Sequence, residues 1–401
     1  MRTDHIRALT GIRFFAALWV VCYHVNKYHR TFIENHFSGW LYDAVRPLVG
    51  NGLRGVDLFF MLSGYVLALN YLNSMGPRFS PRSAVRFIWL RLARIWPLFM
   101  LILVVGGSLI WVRGHLWDSA PLSVLTPSMF FQQMFLVQIW DQPSIGGSSW
   151  SGPAWSLSAE WLAYLLFPLL VLIVFRLRKS LPTWAMFVAV VVVAFPLYYT
   201  VAIAHHSFAG PYSWAIRIVF EFTAGMVLCA ALSRVRPSER QRRLAGYAAI
   251  ALVLAMVGWL EMTGHVLRPW KGILIIFAFL PLIGLLAIGR GPLNRFLATP
   301  TLVLGGEISY GVYLWHSPML YAFRDFFTYS RFHLDTTARF YAELAWIPCI
   351  VAMAWFTFRF FEEPSREFMR GLLNRFPTLT APVRPVTAPE ETDPDRSAAG
   401  R

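Results

Sequence analysis

The chain has 401 residues, of which 57% are hydrophobic and 14% charged, with a formal net charge of +15. A soluble domain carries about 25% charged residues, so water is not the main solvent, and the absence of period-two alternation over strand-length segments argues against a transmembrane barrel. The basic residues sit in short clusters between apolar runs instead of along one face, which reads as a membrane-topology signal and argues against nucleic acid as a partner.

Apolar runs long enough to cross a hydrocarbon core about 30 Å thick recur near residues 11–27, 54–72, 86–112, 124–140, 154–176, 183–204, 211–232, 244–262, 271–289, 301–323 and 339–361. The first follows Arg2 and Arg7, as a signal peptide would. No small-residue cleavage site follows it, however, and it holds Arg13 and His24, so it reads as a retained span. Basic clusters lie at Arg2/Arg7, Arg78 through Arg94, Arg176 through Lys179, Arg234 through Arg243 and Arg290/Arg295. Putting them all on the cytoplasmic side requires one run not to cross. The weakest is 124–140, with Gln132, Gln133 and Gln138, which is expected to form a short outer-surface or re-entrant helix.

The expected architecture is therefore all-α: a polytopic transmembrane bundle of about ten spans with both termini cytoplasmic. Residues 1–370 form the membrane domain and 371–401 a disordered cytoplasmic tail, since from Pro377 the chain is rich in Pro, Thr and acidic residues with little to bury. Cys22, Cys229 and Cys349 fall inside apolar runs without metal-ligand spacing, so packing roles are expected and no metal site.

Charged groups inside spans cost at least a few kcal/mol each and so point to a bundle interior or a wet cavity. Arg13 and His24 are eleven residues apart, about three helical turns, and so share a face roughly 16 Å apart along the axis. A snorkelling Arg and a packing His are the structural alternative. Asp57 opens the second span, with Ser63 deeper. Arg86, Arg91 and Arg94 stand at the cytoplasmic start of the third and suit either donor phosphates or lipid headgroups. Glu160 sits beside Ser156 and Ser158, and the span near 301–323 carries Tyr310, Tyr313 and His316. On this topology His24, Asp57, Glu160 and His316 lie in the outer half and Arg13, Arg86, Arg91 and Arg94 in the inner half. Glu221 belongs to neither group and reads as a residue that holds helices together.

Transfer of an acyl group to a hydroxyl needs a base, stabilisation of the developing oxyanion and a grip on the donor. His24, oriented by Glu160 or Asp57, would supply the base. No Gly-x-Ser-x-Gly elbow is present, so a serine nucleophile is not indicated. A secondary transporter or flippase of acylated sugars would also carry intramembrane Arg, His and Glu, but the inverted repeats or paired broken helices of many transporters are not visible in the sequence.

In order along the chain stand LTGIRFFAALWVVCYH, GVDLFFMLSGYVL, Arg91-x-x-Arg94, WSLSAEWLAYLLFP, SYGVYLWHSP and FEEPSR. Together these resemble the membrane-bound acyltransferase-3 family of integral membrane O-acyltransferases over roughly residues 5–365. The resemblance implies a multi-pass protein of the cell membrane that uses acetyl-CoA or another acyl-CoA as co-substrate, with no permanently bound cofactor. It implies a hydroxyl acceptor on an envelope glycan or lipid-linked sugar, or on a secondary metabolite such as a macrolide. By position, His24 becomes the catalytic candidate, Arg13 its partner, and Arg91 and Arg94 the donor-side residues. Arg86 is grouped with the donor side, and Ser63, Tyr310, Tyr313 and His316 with the substrate.

Overall fold

The computed structural model describes residues 2–36, 40–146, 149–205, 207–208, 210–263, 269–329 and 336–375. The tail expected from Pro377 onward lies outside the described residues, and helical structure continues to Arg375, past the boundary expected at 370. Among the described residues there are helices and turns but no strand. In chain order they are α1 (Arg2–His36), α2 (Trp40–Gly50), α3 (Arg54–Met75), α4 (Pro81–Trp117), α5 (Pro127–Met134), α6 (Trp155–Ser180) and α7 (Thr183–Tyr198). Then come α8 (Ser213–Leu232), α9 (Glu239–Thr263), α10 (Pro269–Ile288), α11 (Pro292–Leu297), α12 (Pro300–Tyr329), α13 (Thr336–Leu344), α14 (Trp346–Thr357) and α15 (Glu363–Leu372).

Among the described residues, seven helical segments are long and apolar enough to cross a membrane: Arg7–Tyr28, Arg54–Met75, Pro81–Trp117, Trp155–Ser180, Thr183–Ala204, Ser213–Leu232 and Glu239–Thr263, with Gly272–Ile288 a shorter apolar helix. The chain is thus a multi-pass membrane protein. Its outward faces carry large apolar side chains such as Trp111, Trp184, Val191 and Val192, as lipid contact requires. Cys229 is buried, whereas Cys22 and Cys349 are exposed, so only the first has the packing role expected of all three.

Between lipid-facing helices there is no hydrophobic drive to associate, and close backbone approach takes its place. A Cβ on Gly64 would lie 1.9 Å from the Phe222 carbonyl oxygen, and one on Gly225 would lie 2.1 Å from that of Met61, so glycine sets the spacing of α3 and α8. Gly306 does the same for α12 against Thr10 of α1.

The run near 124–140 forms only the short α5. After α5 the chain is irregular as far as α6, yet Leu136, Ile139 and Ala154 are fully buried. Irregular backbone at membrane depth must find its hydrogen bonds within the protein, and the glutamines help supply them. Gln138 Nε2 donates to the Ala154 carbonyl at 3.1 Å, and Gln133 Oε1 accepts from Trp150 N–H at 2.9 Å and Ser149 Oγ at 3.1 Å. Trp140 Nε1 and Ser158 Oγ close the loop onto Ser158 O and Leu136 O at 3.1 and 2.8 Å. The same polar residues that mark the run as a poor span thus fold it into the bundle, and α6 starts inside the protein.

Candidate active site

Helical spacing puts four sets of side chains around one small cavity of about 40 Å³, enough for roughly one water. Phe59 and Ser63 of α3 are four residues apart, as are Ser156 and Glu160 of α6. Tyr310 and Tyr313 of α12 are three apart, so each pair shares a helix face. Arg13 of α1 completes the lining. Ser63 Oγ donates to Glu160 Oε1 at 2.9 Å and Tyr164 OH donates to the same oxygen at 2.5 Å. Tyr310 OH donates to the Ile95 carbonyl at 2.6 Å, and Tyr313 OH reaches Ser156 Oγ at 2.8 Å and the Pro153 carbonyl at 2.9 Å. The two tyrosines are therefore pins that fix α12 against α4 and α6. Arg13 lies 5.7 Å from the centre of the Phe59 ring, and its buried Nε has no hydrogen-bond partner.

The division by depth drawn from the sequence does not hold for Glu160. It was expected with His24 in the outer half, apart from Arg13, but it lines one cavity with Arg13.

His24 instead meets His316, whose ring centre lies 4.8 Å away at an interplanar angle of 52°. His24 Nδ1 lies 2.9 Å from the Val20 carbonyl oxygen and His316 Nδ1 lies 2.5 Å from that of Tyr313. A carbonyl can only accept, so each Nδ1 carries the proton and each neutral ring presents Nε2 as its basic nitrogen. His316 is completely buried, with no partner on Nε2. Among the described residues the partner of His24 Nδ1 is the backbone of its own helix and not the expected carboxylate. Tyr313 joins the two places, since it lines the Arg13 cavity while its ring lies 5.7 Å from that of His316.

Asp57 is absent from both. Its carboxylate is fully buried, with Oδ1 2.6 Å from Arg217 Nη2 and 2.8 Å from Arg217 Nε, and Oδ2 3.8 Å from Arg54 Nη1. Glu221 is buried and interacts electrostatically with Asp57, Arg54 and Arg217. Asp57, expected to orient His24, is instead paired with Arg217, four residues before Glu221 on α8. Arg217 was legible as a charge inside an apolar run but was passed over.

Arg91 and Arg94 lie one helical turn apart near the start of α4, whereas Arg86 is exposed. Arg91 Nε is buried without a hydrogen-bond partner, and its guanidinium lies 6.0 and 5.8 Å from the Tyr71 and Phe87 ring centres. The C-terminal α15 packs along this stretch, and Trp89 Nε1 donates to its Met369 carbonyl at 2.8 Å. It brings Arg370 into the electrostatic range of Arg91, Arg94 and Arg366. Glu362, fully buried and with neither carboxylate oxygen hydrogen-bonded, lies within range of Arg13, Arg94 and Arg366. Arg366, Arg370 and Glu362 escaped the sequence reading. The signal was present in FEEPSREFMR, where two arginines four residues apart share a face of an amphipathic helix.

The profile of an acyltransferase domain matches residues 6–358, nearly the whole bundle. The chain belongs to the acyltransferase-3 family. It is 30% identical over 190 residues to the acyltransferase MdmB of Streptomyces mycarofaciens, covering 45% of this chain and 42% of that protein. It is 26% identical over 324 residues to BcsY of Komagataeibacter xylinus, a candidate membrane-bound transacylase, covering 78% and 72%. To the O-acetyltransferase OatA of Staphylococcus aureus it is 24% identical over 389 residues, covering 90% and 57%. The chain thus spans less than two thirds of the length of MdmB and of OatA. No solved structure matches it. As a member of this family it carries an acyltransferase-3 domain in a membrane-embedded helical bundle.

Proposed function

We propose that this chain is an integral membrane O-acyltransferase of the cell membrane that moves an acyl group, acetyl in the simplest case, from coenzyme A to a hydroxyl of an envelope glycan or lipid-linked sugar. The observation that carries this reading is the pair of abutting imidazoles, both with Nδ1 tied to a carbonyl and Nε2 left as the base. In the proposed arrangement ten spans cross the bilayer with both termini cytoplasmic, and the tail beyond the described residues is a cytoplasmic extension. The arginines of α4 and α15 then face the cytoplasm, where acyl-CoA is made.

The donor's phosphates bind the guanidiniums of Arg91 and Arg94, whose planar forks suit phosphate oxygens. The pantetheine arm runs past Arg13 and Tyr313 toward the histidines. There the acceptor oxygen attacks the thioester carbonyl carbon as His24 Nε2 takes its proton. The C–S bond breaks, and the thiolate leaves with the proton returned from the imidazolium, giving ester and free thiol. Arg13, about three helical turns from His24 on α1, flanks the path of the pantetheine arm and not the reacting carbonyl.

The test is isothermal calorimetry of acetyl-CoA with the protein in nanodiscs, comparing wild type with Arg91→Ala/Arg94→Ala. Saturable binding that weakens at least tenfold in the double variant is expected. A well-folded wild type that binds no acetyl-CoA would sink the reading.

A further inference from the structure

Beyond the histidine pair, at the far ends of α4 and α12, lies a second cavity of about 190 Å³, lined among others by Arg113, Ser149, Trp150, Gly152, Pro318 and Tyr321. We propose that it is the acceptor site and that it receives a single sugar ring or a polyhydroxyl group of that size; this rests on the transferase reading above.

Position is the first argument. Pro318 stands two residues past His316, and Tyr321 OH pairs with Tyr28 OH at 2.6 Å, one turn beyond His24 on α1. The cavity therefore lies within about one helical turn of the histidines along α1 and α12, toward the ends away from Arg91 and Arg94, and neither histidine lines it. Gly152, at φ +61°, forms the partition: a Cβ there would stand 3.1 Å from Ser317 Oγ, next to His316. Donor and acceptor would thus approach the base from two ends.

Chemistry is the second. Arg113 and Asp325 form a buried ion pair, and the Arg113 guanidinium lies 4.5 Å from the Tyr321 ring centre. Arg113 Nη2 also donates to the Ser119 carbonyl at 3.1 Å, and Ser119 Oγ donates to Asp325 Oδ2 at 3.3 Å. Trp150 is held at both ends, Nε1 donating to Val124 O at 2.9 Å and its backbone N–H to Gln133 Oε1. Rigid aromatic side chains beside fixed donors and acceptors match a ligand with apolar C–H faces and a rim of hydroxyls. At the volume of liquid water the space holds about six waters, enough for one ring and too little for two.

The contrast with another cavity argues against a lipid occupant. The space of about 440 Å³ among α1, α9, α10 and α11 is lined by residues such as Ile12, Phe15, Trp19, Val253, Phe279 and Phe296. It offers only apolar surface, which suits an acyl chain of the bilayer. The cavity at Arg113 holds an ion pair that a hydrocarbon tail would leave poorly solvated.

The experiment uses the full chain in nanodiscs with methyl β-D-glucopyranoside as probe, read by saturation-transfer NMR, alongside acetyl-CoA calorimetry on the same samples. The wild type is expected to saturate the probe. Trp150→Ala should lower the effect at least fivefold, and Ala120→Trp, which fills the cavity from its loop edge, should do the same without touching a hydrogen bond of Trp150. Trp184→Ala, on a lipid-facing surface, should leave it unchanged. Donor affinity should stay within twofold in all of them. A wild type that binds acetyl-CoA but not the probe, or a probe signal that survives both cavity variants, overturns the acceptor site and leaves the transferase reading standing. Loss of acetyl-CoA binding in the wild type instead removes that reading, and the acceptor site with it.

Discussion

Two groups of buried charge can be set side by side. Around Asp57, two carboxylates meet two guanidiniums, the Arg217 contact is direct at 2.6 Å, and Arg54 covers the Phe208 ring at 3.4 Å from its centre. Around Arg13 and Arg94, five arginines (Arg13, Arg91, Arg94, Arg366 and Arg370) face Glu160, Glu362 and Glu363. Ser63 and Tyr164 hold Glu160, and the Nε atoms of Arg13, Arg91 and Arg366 have no hydrogen-bond partner. The group around Asp57, through its direct contact with Arg217, does the work of a structural clamp between α3 and α8. The group around Arg13 and Arg94 has more arginines than carboxylates, which suits an anion. Charge inside a span is thus not by itself a mark of function; an excess of one sign is the better pointer.

The largest effect should come from neither group. His24→Ala is expected to lower acyl transfer at least a thousandfold with membrane insertion intact, within the range that removal of a general base produces, as measured by transfer of radiolabelled acetyl groups in proteoliposomes. His316→Ala should cost less, because its role is to abut and position His24. Equal residual activities in the two variants would mean that the pair acts as one base.

Next, the clamp can be broken. Arg217→Met leaves Asp57 buried beside a single, more distant guanidinium and should cost about 3–5 kcal/mol of stability, the usual price of an orphaned buried charge. Thermal unfolding in detergent should show the loss, and Arg217→Met/Asp57→Leu should recover most of it. If the single variant unfolds like wild type, the quartet is not a clamp. On the other side of the comparison, Arg366→Ala/Arg370→Ala should leave unfolding unchanged while weakening acetyl-CoA binding about tenfold, or about 1.4 kcal/mol. A stability loss with unchanged affinity would turn α15 into a packing element.

The helices were legible because the apolar runs are long, and the run near 124–140, which forms only a short helix, announced itself through Gln132, Gln133 and Gln138. The histidines were legible one at a time; their meeting was not, because the register between α1 and α12 is set by Gly306 against Thr10, a contact between residues almost three hundred positions apart. Asp57 misled because a carboxylate near a catalytic motif looks the same in sequence whether a guanidinium covers it or not. Only the packing of α8 on α3, through Gly64 and Gly225, brings Arg217 to it. The Arg366/Arg370 pair was hidden differently: it lies on a short amphipathic helix after the last apolar run, where charge outside a span carries no signal of its own.

Arg86 offers the smallest effect and the finest test of the comparison. It belongs to the same basic stretch as Arg91 and Arg94, and by composition alone all three are equal candidates for phosphate. Yet Arg86 is exposed, while Arg91 sits among Tyr71 and Phe87, where water is partly excluded and a charge-assisted bond is worth more. Arg86→Ala is therefore expected to change acetyl-CoA affinity less than twofold, against at least tenfold for Arg91→Ala/Arg94→Ala in the same calorimetry. If Arg86→Ala weakens binding as much as the double variant does, the donor is held by the general positive field at the cytoplasmic face. In that case the unpartnered guanidiniums beneath it are not the site.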